Sequence, residues 1–343
     1  MIEGYATFKG TRNIIGRNGL SGRRTPYFMA APIGIGTHLG EMNETDSGLY
    51  RQGMEYGLIH GLNFIDTAIN YRGMRSERDV GYVLNSLIEE KGLLQRDEVI
   101  ISTKGGLIPG DVLQNLVPAA YLQQVLLEGN ILSESDLNVV GNVKHVMSPR
   151  YYQFAIEQSR QHLQLSTIDI YYIHNPEISK MMLPEEIFYG QLEELFAMLE
   201  NQVKRGNIRH YGLATWRGLI APPDDKGYIS IQEAVKRAKS VAGEDHHFRF
   251  LQFPLNSIRN EAVTFNNQKM KNKWMTVVEA AKEAGLYSTT SAPFELGKLT
   301  GEGSVKHLLK KIISTEEVLS TMVGMKQVKH IKENLEVLKG INV

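Results

Sequence analysis

The sequence predicts an α/β fold: one closed barrel of eight parallel strands, each followed by a helix, with residues 1–343 forming a single domain. Three observations predict it. Strand-like and helix-like stretches alternate about eight times, which implies a parallel sheet, and eight units favour closure, the TIM-barrel arrangement (β/α)8, over an open doubly wound sheet. Leu62, Phe64 and Ile65 form a short apolar run after Gly61, as suits a strand covered on both faces. Polar residues also stand at the C-terminal end of strand after strand: Asp66, Lys104, His174, Thr215 and Gln252. Barrel active sites gather at that end, where the strand-to-helix loops converge.

Residues 5–27, rich in Gly, Arg and Asn, read as an N-terminal hairpin or arm. A strand over 28–35 runs into Gly34-Ile35-Gly36-Thr37-His38-Leu39-Gly40, a glycine-rich turn. It is a poor dinucleotide fingerprint, because its last glycine falls one position late and no acidic residue closes a second strand at the usual distance. Residues 47–60 form a helix with Asp46 or Ser47 as N-cap. The strand ending at Asp66 precedes a helix over 77–91, and the β-branched run 99–103 ends in Lys104-Gly105-Gly106. After a long segment, 107–147, Pro149 opens a helix reaching 165. Further strands are read over 168–173, 208–213, 248–255, 286–291 and 321–325, alternating with helices over 184–205, 231–240, 272–284, 305–314 and 327–338.

The 107–147 segment, after the third strand, is longer than a typical βα loop. Its apolar middle, 119–127, reads as a helix inside an insertion that overhangs the barrel mouth; an oligomer contact or surface decoration is the competing reading.

Lys plus Arg equals Asp plus Glu at 38 each, so no basic field recruits nucleic acid or an anionic membrane. Cysteine is absent, which excludes disulfides, thiolate zinc sites and cysteine nucleophiles. With no signal-like N-terminus and no run of membrane-spanning length, the expectation is a cytoplasmic protein, a monomer or homo-oligomer. Glu244-Asp245-His246-His247, just before a strand, is read as a solvated turn rather than a metal site.

Asp66, Lys104 and His174 close three consecutive strands, and Tyr71 follows the first in its loop. Singly each has a bland role, as a turn cap, a snorkelling lysine, a loop histidine or a packing phenol. Together they make chemistry. A phenol, with a pKa near 10, is a poor acid at neutral pH, and an adjacent ammonium stabilises its phenolate. A carboxylate fixes that lysine, and a histidine orients a carbonyl oxygen toward the phenol.

The chain resembles an aldo-keto reductase. Residues 61–71, followed by Ser76-Glu77 and Gly81, resemble that family's first signature; 168–174 resemble its second; 324–335 resemble its C-terminal cofactor signature. The resemblance implies reduction of an aldehyde or ketone to an alcohol by hydride from a nicotinamide cofactor lying extended across the barrel mouth, NADP(H) more than NAD(H). It makes Tyr71 the proton donor, Lys104 and Asp66 its partners, and His174 the carbonyl-orienting residue. It assigns cofactor contacts to Gly36, Thr37, Asp66, Thr215, Gln252, Ser291, Phe294, Gly297, Lys326, His330, Glu333 and Asn334, and substrate contacts to Arg72 and Asn175.

Ala214-Thr215 stands where the family has Ser-Asn, Ser291 where many members stack an aromatic, and His330 where arginine is common. These departures leave room for a cofactor-binding regulatory or interaction subunit with slow turnover. A strand-end lysine also admits a Schiff-base lyase using Lys104.

Overall fold

In the computed structural model, which describes residues 1–300 and 305–340, eight parallel strands close a barrel: β1 (Ile33–Gly36), β2 (Phe64–Asp66), β3 (Ile100–Gly105), β4 (Ile168–His174), β5 (Ile208–Ala214), β6 (Phe248–Pro254), β7 (Tyr287–Ser291) and β8 (Val318–Gly324). Each pairs with its neighbours in sequence, and β8 closes against β1. The principal helices between and after them are α1 (Glu44–Ile59), α2 (Arg75–Asn85), α3 (Pro149–Leu163), α4 (Glu185–Lys204), α5 (Ile231–Ala242), α6 (Val277–Glu283), α7 (Val305–Ile313) and α8 (Val328–Lys339). Residues 341–343, the end of the expected domain, lie outside the described residues.

The period of two along a strand divides the side chains into two sets. Phe64, Ile100, Ile170, Tyr172 and Phe250 pack together inside the barrel, whereas Ile65, Ile101, Tyr171, Ile173, Leu213, Leu251 and Phe253 join the larger core under the helices. Continuing the inner parity toward the C-terminal ends gives Asp66, Lys104, His174 and Gln252. Asp66 pairs with Ser102, two residues before Lys104, and Lys104 pairs with Tyr172, two residues before His174. This stagger lifts each of these residues one step farther around the mouth while keeping it on the inner face.

The N-terminal hairpin exists, but it is only Arg23–Arg24 against Met29–Ala30, and a helix, Phe8–Arg17, occupies much of the expected arm. Thr7 caps that helix by accepting a hydrogen bond from the Gly10 amide. Phe28, next to the hairpin, stacks on Phe250 with ring centroids 5.8 Å apart, plugging the N-terminal end of the barrel. The N-cap of α1 is Asn43, not Asp46 or Ser47; its side chain accepts from the Asp46 amide. The 107–147 insertion has the expected helix, Pro118–Tyr121 continuing through Leu127, but also an unexpected antiparallel hairpin, Leu137–Val140 with Val143–Val146. A second small hairpin, Gln268–Met270 with Lys273–Met275, replaces the first turn of the helix expected from 272. Lys271 and Asn272 both have positive φ, 46° and 68°, the geometry that joins tightly turned strands.

Helix α2 touches the end of α3 through Gly81, where an added Cβ would lie 2.2 Å from the His162 carbonyl oxygen. Backbone cannot yield as a side chain does. Gly81→Ala is therefore expected to cost about 1–3 kcal/mol or more, read as a lower urea midpoint. A midpoint within error of the parent would show that the two helices can slide apart freely.

Candidate active site

The C-terminal mouth opens into an elongated cavity of about 650 Å³. At its floor the Lys104 ammonium is 1% exposed and donates to Asp66 Oδ2 at 2.6 Å, to the Thr67 carbonyl at 2.8 Å and to Tyr71 Oη at 3.3 Å. Asp66 is held in turn: its Oδ1 accepts from Ser102 Oγ at 2.7 Å and from Gln252 Nε2 at 3.0 Å. The His174 ring meets Tyr71 edge-on, centroids 5.7 Å apart. The structure thus brings Asp66, Tyr71, Lys104 and His174 together, with three of them on inner-facing strand ends and Tyr71 on the β2 loop.

Burial shapes their charges. It pushes the Tyr71 phenol above its ordinary range, and the Lys104 ammonium pulls only partly the other way. The sequence-based expectation of a net lowering is thus reversed: desolvation wins, and Tyr71 holds its proton at neutral pH. Burial also opposes the charge on Lys104, but Asp66 and Tyr71 together outweigh it and keep it an ammonium. His174 is driven well below the usual imidazole range, first by burial and then by Lys104, so it is neutral, and its buried Nδ1 has no partner among the described residues.

Gly36, Thr37, Thr215, Gln252, Ser291, Phe294, Gly297, His330, Glu333 and Asn334 all line this cavity, as does Asn175, held at φ 55°. Two expected residues do not. Arg72 is 4% exposed, donating to Asp79, to Ser47 Oγ and to the Glu41 carbonyl, with its guanidinium over the Tyr50 ring. Its positive φ turns the side chain toward α1 and α2, where it braces the loop. Lys326 stands beside the lining, its ammonium 2.7 Å from Asp46 Oδ2. His38, Leu39, Asn70, Leu107 and Trp216 line the cavity without having been singled out. His38 and Leu39 follow the flagged Gly36-Thr37 directly, and Trp216 follows Thr215, so adjacency was the available signal.

Glu244 and Asp245 are exposed at the opposite end of the barrel, as a turn should be, but His246 is buried against Arg249 and His247 bonds Glu200. Among the described residues no group of three or more His, Asp or Glu is arranged to hold a metal ion.

Residues 32–219, more than half of the chain, match the model of the Aldo/keto reductase family. The chain belongs to that family. Solved aldo-keto reductase folds superpose along nearly its whole length. An aldo-keto reductase from Bacillus halodurans in its holo form aligns with TM-score 0.61 at 18% identity, covering 94% of this chain and 92% of its own. An aldo-keto reductase from Klebsiella pneumoniae in complex with NADP and acetate aligns with TM-score 0.59 at 17% identity, covering 92% and 88%. A glycerol dehydrogenase from Gluconobacter oxydans aligns with TM-score 0.63 at 16% identity, covering 94% and 90%. At such identities the likeness is one of fold. No curated protein matches the sequence. Among the described residues no helix is long and apolar enough to cross a membrane.

Several histidines of this aldo-keto reductase are neutral by burial: His174 and His210 lie well below their ordinary pKa, and His145 falls to about 3. The unfolded chain, with imidazoles near 6.5, then binds more protons than the fold below that pH. Stability is fully present above about 6.5 and declines as pH falls, by roughly 1.4 kcal/mol per pH unit for each such ring. Urea midpoints at pH 7.5 and 5.0 check this, the lower pH giving the lower midpoint; equal midpoints would mean that these rings are charged in the fold.

Proposed function

We propose that the protein is an NADP(H)-dependent reductase of small aldehydes or ketones, with Tyr71 as proton donor. The observation that carries the reading is the contact of Lys104 with both Asp66 and Tyr71 beneath a cavity that His174 also faces.

The cavity's shape suits an extended dinucleotide. It runs from Asp66, Thr215 and Gln252 past Ser291, Phe294 and Gly297 to His330, Glu333 and Asn334. Gln327 caps α8 without a side-chain hydrogen bond, and of the first-turn amides only that of His330 finds an acceptor among the described residues, the Gln327 carbonyl, which leaves those of Val328 and Lys329 to meet an anionic group. Lys326, one residue earlier and half-buried, adds a cation that Asp46 holds in readiness near the same end. These features favour a phosphate-bearing adenosine, hence NADP(H) over NAD(H). When bound, the nicotinamide supplies the hydride. Thr215 and Gln252 orient its carboxamide, and Ala214 offers no polar group there, so binding rests on fewer contacts.

The chain's own residues do the rest. Neutral His174 directs the carbonyl oxygen toward Tyr71. Tyr71 gives its proton to that oxygen, and Lys104 stabilises the phenolate left behind. Asp66 keeps Lys104 charged and immobile. The same bonds argue against Schiff-base chemistry, since an ammonium donating to three acceptors has no free lone pair to attack with. The insertion contributes Leu107 to the cavity, and we assign 107–147 the role of substrate-side wall.

The test is oxidation of NADPH, against NADH, by purified protein over a panel of aldehydes and ketones. Carbonyl-dependent oxidation with NADPH preferred supports the reading. Tight NADPH binding without turnover would favour a cofactor-sensing subunit instead.

A further inference from the structure

The end of the cavity next to Tyr71 holds a group of polar side chains that the proton-transfer machinery does not use. Asn70, His38 and Asn175 all line it. None of their side chains forms a hydrogen bond to another described residue, and the Asn70 Oδ1 is buried without a partner. The His38 ring lies against Tyr71, centroids 4.6 Å apart, so it stands at the reacting phenol and not at a remote rim. His38 keeps surface exposure, and partial desolvation by its neighbours and then the Lys104 charge lower its pKa. Around these stand Leu39, Leu107 and the Trp216 indole.

What is missing from this end matters as much. Among its described lining residues there is no arginine, and the lysine beneath it is committed to Asp66 and the Thr67 carbonyl. The nearest cation behind that lining, Arg259 over the Trp216 ring, is paired with Glu295, so a carboxylate or phosphate on the substrate would meet no uncommitted cation there. An alkyl chain would cover Asn70 and leave its amide desolvated and unpaired, which disfavours such a substrate. A hydroxyl pairs such an amide by donating and accepting at once, and the C–H face of a polyol packs on an indole.

We infer that this end of the site selects uncharged carbonyl compounds bearing hydroxyl groups beside the carbonyl, with Asn70 as the main specificity-determining residue. The inference rests on the reductase reading above. The carbonyl carbon receives the hydride, its oxygen takes the Tyr71 proton, and the neighbouring hydroxyls are unchanged and serve only for binding. A site built around such a hydroxyl discriminates strongly against an analogue lacking it, because its own polar groups are then left unpaired.

The experiment compares kcat/KM for glyceraldehyde, pentanal and glyceraldehyde 3-phosphate with NADPH, in the parent and in Asn70→Val. Glyceraldehyde should exceed each of the others by about tenfold or more in the parent, in line with one well-made buried hydrogen bond. In Asn70→Val the ratio over pentanal should fall severalfold, through the loss on glyceraldehyde and mainly in KM. NADPH affinity and thermal melting confirm that the variant is folded. A parent that uses pentanal or the phosphate equally well, or a variant that keeps the parental ratio, overturns the inference while leaving the reductase reading intact. Absence of turnover on every carbonyl removes both.

Discussion

Tyr71→Phe should lower kcat for carbonyl reduction by about 10²–10⁴-fold, the usual contribution of a positioned general acid. The change removes one oxygen and leaves the ring, so the contact with His38 and the edge-on packing with His174 persist. Lys104 keeps Asp66 and the Thr67 carbonyl, and its charge remains satisfied. NADPH affinity, followed by fluorescence titration, should therefore move little. Loss of turnover with binding retained is the signature of a group needed only in the transition state. Because burial raises the phenol, the parent enzyme should keep its reductive activity through neutral pH and lose it on the alkaline side, where the donor form is depleted. Tyr71→Phe with parental kcat would remove this residue from the chemistry.

Asp169→Ala should be the costliest single change for stability, and it acts far from the cavity. Asp169 is 2% exposed at the start of β4, the strand whose other end carries His174. Its Oδ1 accepts from the Ala6 amide at 2.7 Å; its Oδ2 accepts from the Ile101 amide and from Arg96 Nη2, both at 2.8 Å. One carboxylate thus ties the N-terminal segment, β3 and β4 together. Truncation leaves two buried amides short of an acceptor and the Arg96 guanidinium, 5% exposed, without a counter-charge. Breaking a buried pair from one side costs about 3–5 kcal/mol. Urea denaturation measures it directly, and Asp169→Ala combined with Arg96→Met should recover part of the loss. A drop smaller than that of an ordinary surface change would show water reaching Arg96 through the N-terminal end. Turnover per folded molecule should stay near the parental value.

How far the sequence reveals this molecule depends on whether a feature is local. The barrel was legible because the strands carry apolar runs of their own and five of them end at or beside a polar residue; Asp66, Lys104 and His174 could be placed on one mouth from sequence alone. What the runs do not encode is the stagger between strands, and this sets the order of the inner residues around that mouth. Arg72 lies off the cavity for a related reason: Tyr71 and Arg72 are neighbours in sequence, yet a positive φ sends the second side chain to Asp79 and Ser47. The sign of the Tyr71 shift was beyond reach too, because it weighs one visible ammonium against burial by the whole surrounding wall. The hairpin over 137–146 did carry a local signal, Gly141-Asn142 between β-branched residues, with Gly141 at φ 58°. Conversely, the helix read from 47 with Asp46 or Ser47 as cap starts earlier, at Glu44 after Asn43, because a start rich in capping-type residues cannot be resolved without the backbone.

The excursion that begins after Gly106 has one more consequence. It leaves and rejoins the barrel at nearly the same point: the Val146 amide donates to the Gly106 carbonyl at 2.9 Å, and the Ile108 amide to the Lys144 carbonyl at 3.3 Å. Whatever lies between those two bonds is, to β3 and α3, a stitched-off detour. Closing a longer or shorter detour changes the entropy by only a fraction of a kcal/mol for each modest change in length, about 0.6 kcal/mol per doubling. Its length is thus cheap to change, provided that Asp111 keeps its pair with Arg78 and the Val112 amide its bond to the Gly73 carbonyl in the loop of Tyr71. A lineage that needs a new appetite can rewrite this margin and keep its page.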